Sequence, residues 1–341
     1  MSITVKAFNG PDDEWDSFAS AQRGYTHFHR LRWRAVMEKV FGHECIYLAA
    51  RDGTGELVGV LPLVRVRSMV FGHYLVSMPF LNYGGPLGGD TAIAALVREA
   101  STIAARDKVK LLELRSRTPL DIELRPSHRK LTVVIDLPAT CGELYADFTA
   151  KLRSQIRRPR KEGVTVSFGA DQVDPFFAVF SRHMRDLGTP TQSLAFFREI
   201  AAQFPDDCWF ACAYLNDQPV AAGCGFRFAD EFEMTWASSL REFNKQAPNM
   251  LLYWAFMERA VRERLARFNF GRCTPGAGTH RFKMQWGGRE EPLYWYGLAS
   301  SAEVTTPSPT DGIFQWGPRV WRRLPTSIAT TFGPSIVRYI P

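Results

Sequence analysis

The chain has 341 residues, enough for two cores, and its 45% hydrophobic and 23% charged residues are the balance of a globular protein. A net charge of +7 and a pI near 9.2 favour an anionic partner: a small anion, a nucleic acid or an anionic lipid. No basic-then-apolar leader opens the chain and no run of about 18 apolar residues occurs, so a cytoplasmic protein that touches a membrane at most is expected.

The six cysteines include no C-x-x-C pair and the seven histidines no H-E-x-x-H, so neither a metal site nor a disulfide framework is expected. In chain order, CIYLAARDGTGELVGVLPLVRV (45–66) reads as a hairpin around a glycine-rich turn, followed by a strand at 69–78. NYGGP (Asn82–Pro86) then leads to a helix over 91–106, a strand ending in Arg115 and an apolar strand at 131–137. Asn82 and Tyr83 offer polar side chains beside glycines that let a ligand approach the backbone, although a plain tight turn fits equally.

Between the halves, KLRSQIRRPRKEG (Lys151–Gly163) carries six basic residues against one acid. At helical spacing Arg153, Arg157 and Lys161 share a face and Leu152 and Ile156 another, which suits either a solvated face or a phosphate site. The second half repeats the first: a hairpin at 209–228, a strand at 232–238, a helix over about 249–267 and a strand ending in Arg272. PLYWYGL (292–298) closes it as LTVVIDL closes the first half.

Strand–strand–strand–helix–strand, twice, predicts an α+β fold with mixed sheets rather than an alternating βαβ fold. That order is the core of an acetyltransferase-type domain. The expectation is two tandem GNAT-like domains, 1–140 and 141–300, facing each other across an interdomain cleft and followed by a tail at 301–341.

The stretch GRCTPGAGTHRFKMQWGG (Gly271–Gly288) is a near miss to three nucleotide loops. Ala277, not lysine, follows the second glycine of a would-be P-loop, and Arg281 stands where a dinucleotide fingerprint needs its third glycine. Arg272 to Gly276 is one residue too long for the [QR]-x-x-G-x-[GA] loop of ordinary acetyltransferases.

KLRSQIRRPRKEGVTV, followed much later by FNFGR…THRFKMQWGG, resembles the FemAB-type transferases. With SMPFLNYGGPL and RDLGTPTQSLAFF, the order of motifs is most similar to the FemAB-like proteins associated with exosortase/PEP-CTERM systems and exopolysaccharide clusters. The resemblance covers roughly residues 25–300. It implies tandem acetyltransferase-like domains and acyl transfer to an amine on a cell-envelope precursor. The donor would be a co-substrate, aminoacyl-tRNA or acyl-CoA, with no tightly bound cofactor and with charged tRNA as a partner in the first case.

By position the resemblance puts Lys283 at the reaction centre, with Phe282 and Trp286 excluding water beside it. Arg272, at a strand end next to the same loop, fits a catalytic role or a structural ion pair. Arg153 and Arg157 would hold phosphates of a nucleotide-linked acceptor or tRNA. Gly188 and Thr189, within DLGTPTQS (Asp186–Ser193), would line the acceptor loop, although Gly188 and Ser193 also suit plain helix caps. Candidate bases are Asp186, Glu113 and Glu233, the last beside Trp236, which joins the substrate-binding set.

Two other functions use the same residues: an acetyl-CoA-dependent transferase of a sugar amine, and a non-catalytic scaffold for RNA or anionic polysaccharide. The tail from 312 has no acid and bears Trp316, Trp321 and four arginines. It suits peripheral contact with an anionic membrane or, the favoured reading, a clasp packed on the protein.

Overall fold

A computed structural model describes residues 2–299 and 317–340. The chain divides into two compact units. One runs to Lys130 and also takes in the strand that follows Pro292 and the C-terminal residues from Ser335. The other holds Leu131–Glu291 and the helical segment that ends at Pro334.

The first unit begins with β1 (Thr4–Ala7), α1 (Asp12–Ser20), α2 (Trp33–Val36), β2 (Glu44–Arg51) and β3 (Leu57–Ser68). There follow β4 (Gly72–Val76), β5 (Leu87–Gly88), α3 (Asp90–Arg106), β6 (Leu111–Ser116) and β7 (Pro126–Ser127). The β2–β3 hairpin is set by Asp52, whose carboxylate accepts the backbone N–H of Thr54 at 2.9 Å and of Glu56 at 3.0 Å. Helix α3 buries Ile93, Leu96, Val97, Ala100, Ile103 and Ala104, a stripe at three- and four-residue spacing that packs with Leu48, Leu61 and Leu63 of the sheet.

The second unit opens with β8 (Leu131–Asp136), α4 (Cys141–Asp147), α5 (Ala150–Lys161), β9 (Thr165–Phe168), α6 (Val173–Leu187) and α7 (Leu194–Gln203). Strands β10 (Cys208–Leu215), β11 (Gln218–Phe228) and β12 (Glu231–Ser239) precede α8 (Pro248–Arg262), β13 (Arg267–Cys273), α9 (Gly278–Met284) and β14 (Arg289–Pro292). Strand β15 (Tyr294–Ala299) and helices α10 (Gly317–Trp321) and α11 (Thr326–Val337) complete the chain. One face of this sheet is covered by α8, with Leu252, Phe256 and Met257 buried on Phe232 and Phe268. The other carries Phe176, Phe180, Phe196 and Phe197 of α6 and α7, packed edge to face with Phe210 and Trp236.

The sheets run β1-β2-β3-β4-β6-β15-β7, with β5 beside β3, and β14-β8-β13-β12-β11-β10-β9. Each contains the expected meander, a helix, and a strand returning parallel to the third: β6 beside β4, and β13 beside β12. The fold is therefore α+β with two mixed GNAT-type sheets, as the repeated pattern predicts.

The closing strands are the correction. LTVVIDL does not close the first sheet; as β8 it pairs antiparallel with β13. The strand expected to close the second sheet is β15, which pairs with β6 at six positions from Tyr294↔Ser116 to Ala299↔Leu111. The halves exchange their last strands, so the cut between units falls at Lys130 and Pro292, not at 140 and 300. Both strands are apolar runs of similar length, and local pattern does not say which sheet an apolar strand joins. A fragment ending at Lys130 leaves β6 without β15, and the expected outcome is loss of a cooperative urea transition, which appending 292–299 through a flexible linker partly restores.

Candidate active site

Strands β12 and β13 run side by side for only three residue pairs, Glu231↔Arg267, Phe232↔Phe268 and Glu233↔Asn269, and then the ladder stops. Each strand carries an irregularity at that point. On β12 the register against β11 slips so that Cys224 faces Trp236 while Gly225 faces Met234, leaving Thr235 as the extra residue. On β13 the register against β8 slips between Asn269 and Arg272. Gly271 sits there at φ +72°, a conformation that glycine adopts without the steric cost a side chain adds.

Polar side chains fix the second bulge from below. Asn269, fully buried, accepts at Oδ1 from the Thr132 hydroxyl and from the Gly271 N–H at 2.8 Å, and its Nδ2 donates to Glu231 at 2.9 Å. From above, Lys283 Nζ donates to the Gly271 carbonyl at 2.6 Å and to the Arg272 carbonyl at 3.0 Å. Two of its three ammonium protons are thereby engaged.

Lys283 is 7% exposed, and burial lowers its pKa to about 8. Cys273 and Glu233 oppose that shift, and Arg272 adds to it. The lysine thus sits among one buried carboxylate, one thiol and one guanidinium, with Glu233 completely buried on β12. Of the three candidate bases, only Glu233 lies in this electrostatic neighbourhood. Asp186 pairs with Arg185 at 2.6 Å, and Glu113 pairs with Arg115 in the first unit at 2.7 Å.

Lys283 rides on the last turn of α9. An aromatic shelf holds that helix: Trp286, 1% exposed, packs against Phe148 at 5.6 Å, and Phe282 packs against Tyr253 at 5.0 Å. Trp286 is thus a core residue that seats the lysine, not a surface for substrate. Phe282 and Arg272 are half-buried next to it.

Other predicted residues fall elsewhere. Arg153 directs Nη1 to the backbone carbonyls of Ala146 at 2.8 Å and Phe148 at 2.5 Å, so it pins the chain that carries the Phe148 ring onto Trp286. Its role is to position, and the phosphate reading is corrected accordingly. Arg157 is exposed, with no ion pair among the described residues. Farther along α5, Arg160 joins Arg259 and Arg262 around a cavity of about 560 Å³ floored by Val166 and Phe168.

Gly188 caps α6 in the left-handed conformation at φ +81°, and the Thr189 N–H returns to the Met184 carbonyl at 2.9 Å, so the plain helix cap is realised. Trp236 is half-buried just past the β12 bulge, on the α6–α7 side of the sheet. Asn82 and Tyr83 belong to the first unit, where both are buried in a loop that fills its own strand junction. The Ser77 N–H donates to Glu113 O at 2.9 Å, Arg115 donates to Leu81 O at 3.1 Å, and the Gly84 N–H donates to Arg115 O at 3.0 Å. Beneath the loop, His29 donates to the Gly85 carbonyl at 3.0 Å, and its burial lowers the ring pKa to about 4.

Asn269, Thr132 and Thr235 were missing from the sequence reading. A polar residue inside FNF was the available signal for Asn269, whereas the Thr235 bulge leaves none, since register is a property of the neighbouring strand.

Residues 146–284 match the family model described as an acetyltransferase (GNAT) domain, and the match ends one residue after Lys283. Comparison with curated proteins gave no match. Among solved structures, FemX is similar with a TM-score of 0.68 at 14% identity, covering 87% of this chain and 98% of that one. A tandem GNAT protein from the clavulanic acid biosynthesis pathway gives 0.58 at 11% identity, with 89% and 100% covered. L-PGS from Bacillus licheniformis gives 0.57 at 12% identity, with 97% of each chain covered. The chain is a GNAT-fold acyltransferase.

Two stability predictions follow from the bulge. Asn269→Ala leaves Glu231, Thr132 and the Gly271 N–H short of a partner and lowers stability by about 1–3 kcal/mol in urea denaturation. Because the pKa of Lys283 is lowered on folding, the unfolded chain binds the extra proton between pH 8 and 10.5. Wild-type stability relative to Lys283→Met therefore rises with pH across that window and is flat below it, which chemical denaturation at several pH values checks.

Proposed function

We propose that the chain is a FemAB-like N-acyltransferase that moves an acyl or aminoacyl group onto an amine of a cell-envelope or exopolysaccharide precursor, as in the exosortase/PEP-CTERM-associated branch it resembles. The observation that carries the reading is the parted β12–β13 junction, bordered by the Lys283 ammonium with one N–H still to donate.

The acceptor amine attacks the donor carbonyl, a C–N bond forms and the carbonyl oxygen becomes an oxyanion. The third Lys283 N–H stabilises that charge, and its burial strengthens the interaction over the same contact in water. Collapse breaks the C–O bond of an ester donor or the C–S bond of a thioester, and the amine proton leaves for Glu233 or the departing group. Thr189 and Trp236, on the α6–α7 side, supply the acceptor surface. The exposed Arg157 supplies positive charge for phosphates of a nucleotide-linked acceptor or of tRNA, whereas Arg160, Arg259 and Arg262 are paired with Glu258 and Glu263. An acyl-CoA donor acting on a sugar amine is the second reading, supported by the match to an acetyltransferase domain.

Thermal-shift screening with acyl-CoAs, charged tRNA and UDP-linked amino sugars separates the donors. Stabilisation by charged tRNA and not by CoA supports the aminoacyl reading, and the reverse supports the second. Binding of RNA or polysaccharide with no turnover, unchanged in Lys283→Met, would sink both in favour of a scaffold.

Catalysis by a protonated lysine also fixes a pH profile. The rate rises as the acceptor amine deprotonates and falls above about pH 8 as Lys283 loses its proton. Lys283→Met is expected to reduce kcat by roughly 10²–10³-fold with the fold intact, while Lys283→Arg, slower than wild type, loses the descending limb.

A further inference from the structure

The end of α5, strand β9 and helix α8 enclose the cavity of about 560 Å³ in the second unit. Its floor is apolar, formed by Val166 and Phe168 of β9. Along α8 the lining changes from Leu251 and Ala255 to Glu258, Arg259 and Arg262 over a rise of about 16 Å. Strand β9 is the last of its sheet, paired with β10 alone, so this floor lies at a sheet margin. None of the lining residues belongs to the β12–β13 junction or bonds Lys283.

Carboxylates hold the guanidinium groups of this cavity in place without using them up. Glu258 pairs with Arg160 at 3.2 Å and lies 3.9 Å from Arg262, too far for a hydrogen bond. Glu263 pairs with Arg259 at 3.2 Å and is shared with Arg227, which also reaches Asp207 at 3.6 Å. Four guanidinium groups therefore face three carboxylates, an excess of one positive charge. The Arg160 and Arg262 side chains remain 54% and 70% exposed, and a guanidinium has five N–H donors, so most of theirs are open to a further acceptor. Arg259 is the fixed member, its guanidinium lying 4.2 Å over the Trp209 ring and 5.2 Å over that of Phe168.

We propose that this cavity binds a fatty carboxylate of medium chain length, its tail along Leu251, Ala255, Val166 and Phe168 and its carboxylate between Arg160 and Arg262. A guanidinium plane matches a carboxylate through two parallel N–H···O bonds. The volume, and an apolar lining with a few convergent polar groups, are those of a small-molecule site. One positive charge in excess balances one anionic head. A nucleoside triphosphate brings several negative charges to a wall that already holds the Glu258 carboxylate, which repels them. An uncharged lipid leaves both exposed guanidinium groups to water and gains from the floor alone. The site stands apart from the proposed function and does not depend on it.

Isothermal titration calorimetry of the full chain tests this, with dodecanoate kept below its aggregation concentration. Dodecanol supplies the same tail without the charge, and butyrate the same head without the tail. Dodecanoate is expected to bind at a single site, and dodecanol and butyrate about tenfold more weakly or less still. Arg160→Gln and Arg262→Gln should each weaken dodecanoate about tenfold, at unchanged melting temperature because both side chains are exposed. Ala255→Leu keeps a good helix former and fills the path of the tail, so it should abolish binding. The proposal is overturned if dodecanoate does not bind, or if dodecanol binds as tightly. Binding that persists unchanged in both Arg262→Gln and Ala255→Leu lies elsewhere and overturns it too. Inorganic phosphate or ATP binding more tightly than dodecanoate makes the cavity a phosphate site instead.

Discussion

The buried ammonium of Lys283 and the two carbonyls of the β13 bulge are the interaction on which the rest of the site depends. A parallel pair of strands closes its own gap by hydrogen bonding, so holding two strands apart requires other partners for the backbone groups released. On β13 those partners are side chains: Asn269 takes the Gly271 N–H and Lys283 takes the Gly271 and Arg272 carbonyls. The same contacts that keep the junction open orient the one remaining ammonium proton and remove the lysine from water. Its pKa of about 8 is a consequence of that arrangement, since a lysine in solvent would stay near 10.5.

Much of the packing serves to seat α9. Phe148, Tyr253 and Phe270 surround Trp286, three residues after the lysine, Trp254 packs edge-on to Phe148, and Arg153 ties down the carbonyls of Ala146 and Phe148. A helix as short as Gly278–Met284 has little stability of its own, so its place is set by the aromatic contacts that follow it. The basic helix α5 contributes to the site in this indirect way through Arg153, whose charge meets backbone carbonyls rather than phosphate.

The repeated strand–strand–strand–helix–strand unit was legible because each element has its own periodicity, and the lysine because it stands in a short motif between aromatics. The exchanged strands β8 and β15 were not, since an apolar run is equally at home against β6 or β13. The bulges were hidden for a related reason: they are mismatches between two strands, and a single strand carries no trace of them beyond a glycine or a buried polar residue. Gly188 was ambiguous in sequence, and the structure makes it a cap, with any role toward an acceptor passing to the side chains beside it. Trp286 looked like a site residue because of its closeness in sequence to Lys283, yet one helical turn is enough to move a side chain from a site into a core.

The first unit fills the equivalent strand junction differently. Strands β4 and β6 also run parallel for three pairs, Tyr74↔Leu111 to Val76↔Glu113, and then separate. There the chain itself fills the junction: Ser77, Leu81 and Gly84 bond to Glu113 and Arg115, while the Arg115 guanidinium is held by Glu113 at 2.7 Å and stacks 4.5 Å above Trp295. Every one of these bonds satisfies a backbone or charged group of the junction. The left-handed conformations of Met78 and Phe80 follow from turning the chain back into the gap. The same strand order therefore produces two outcomes: a junction filled by its own loop, and one where a buried lysine bonds the carbonyls of the bulge.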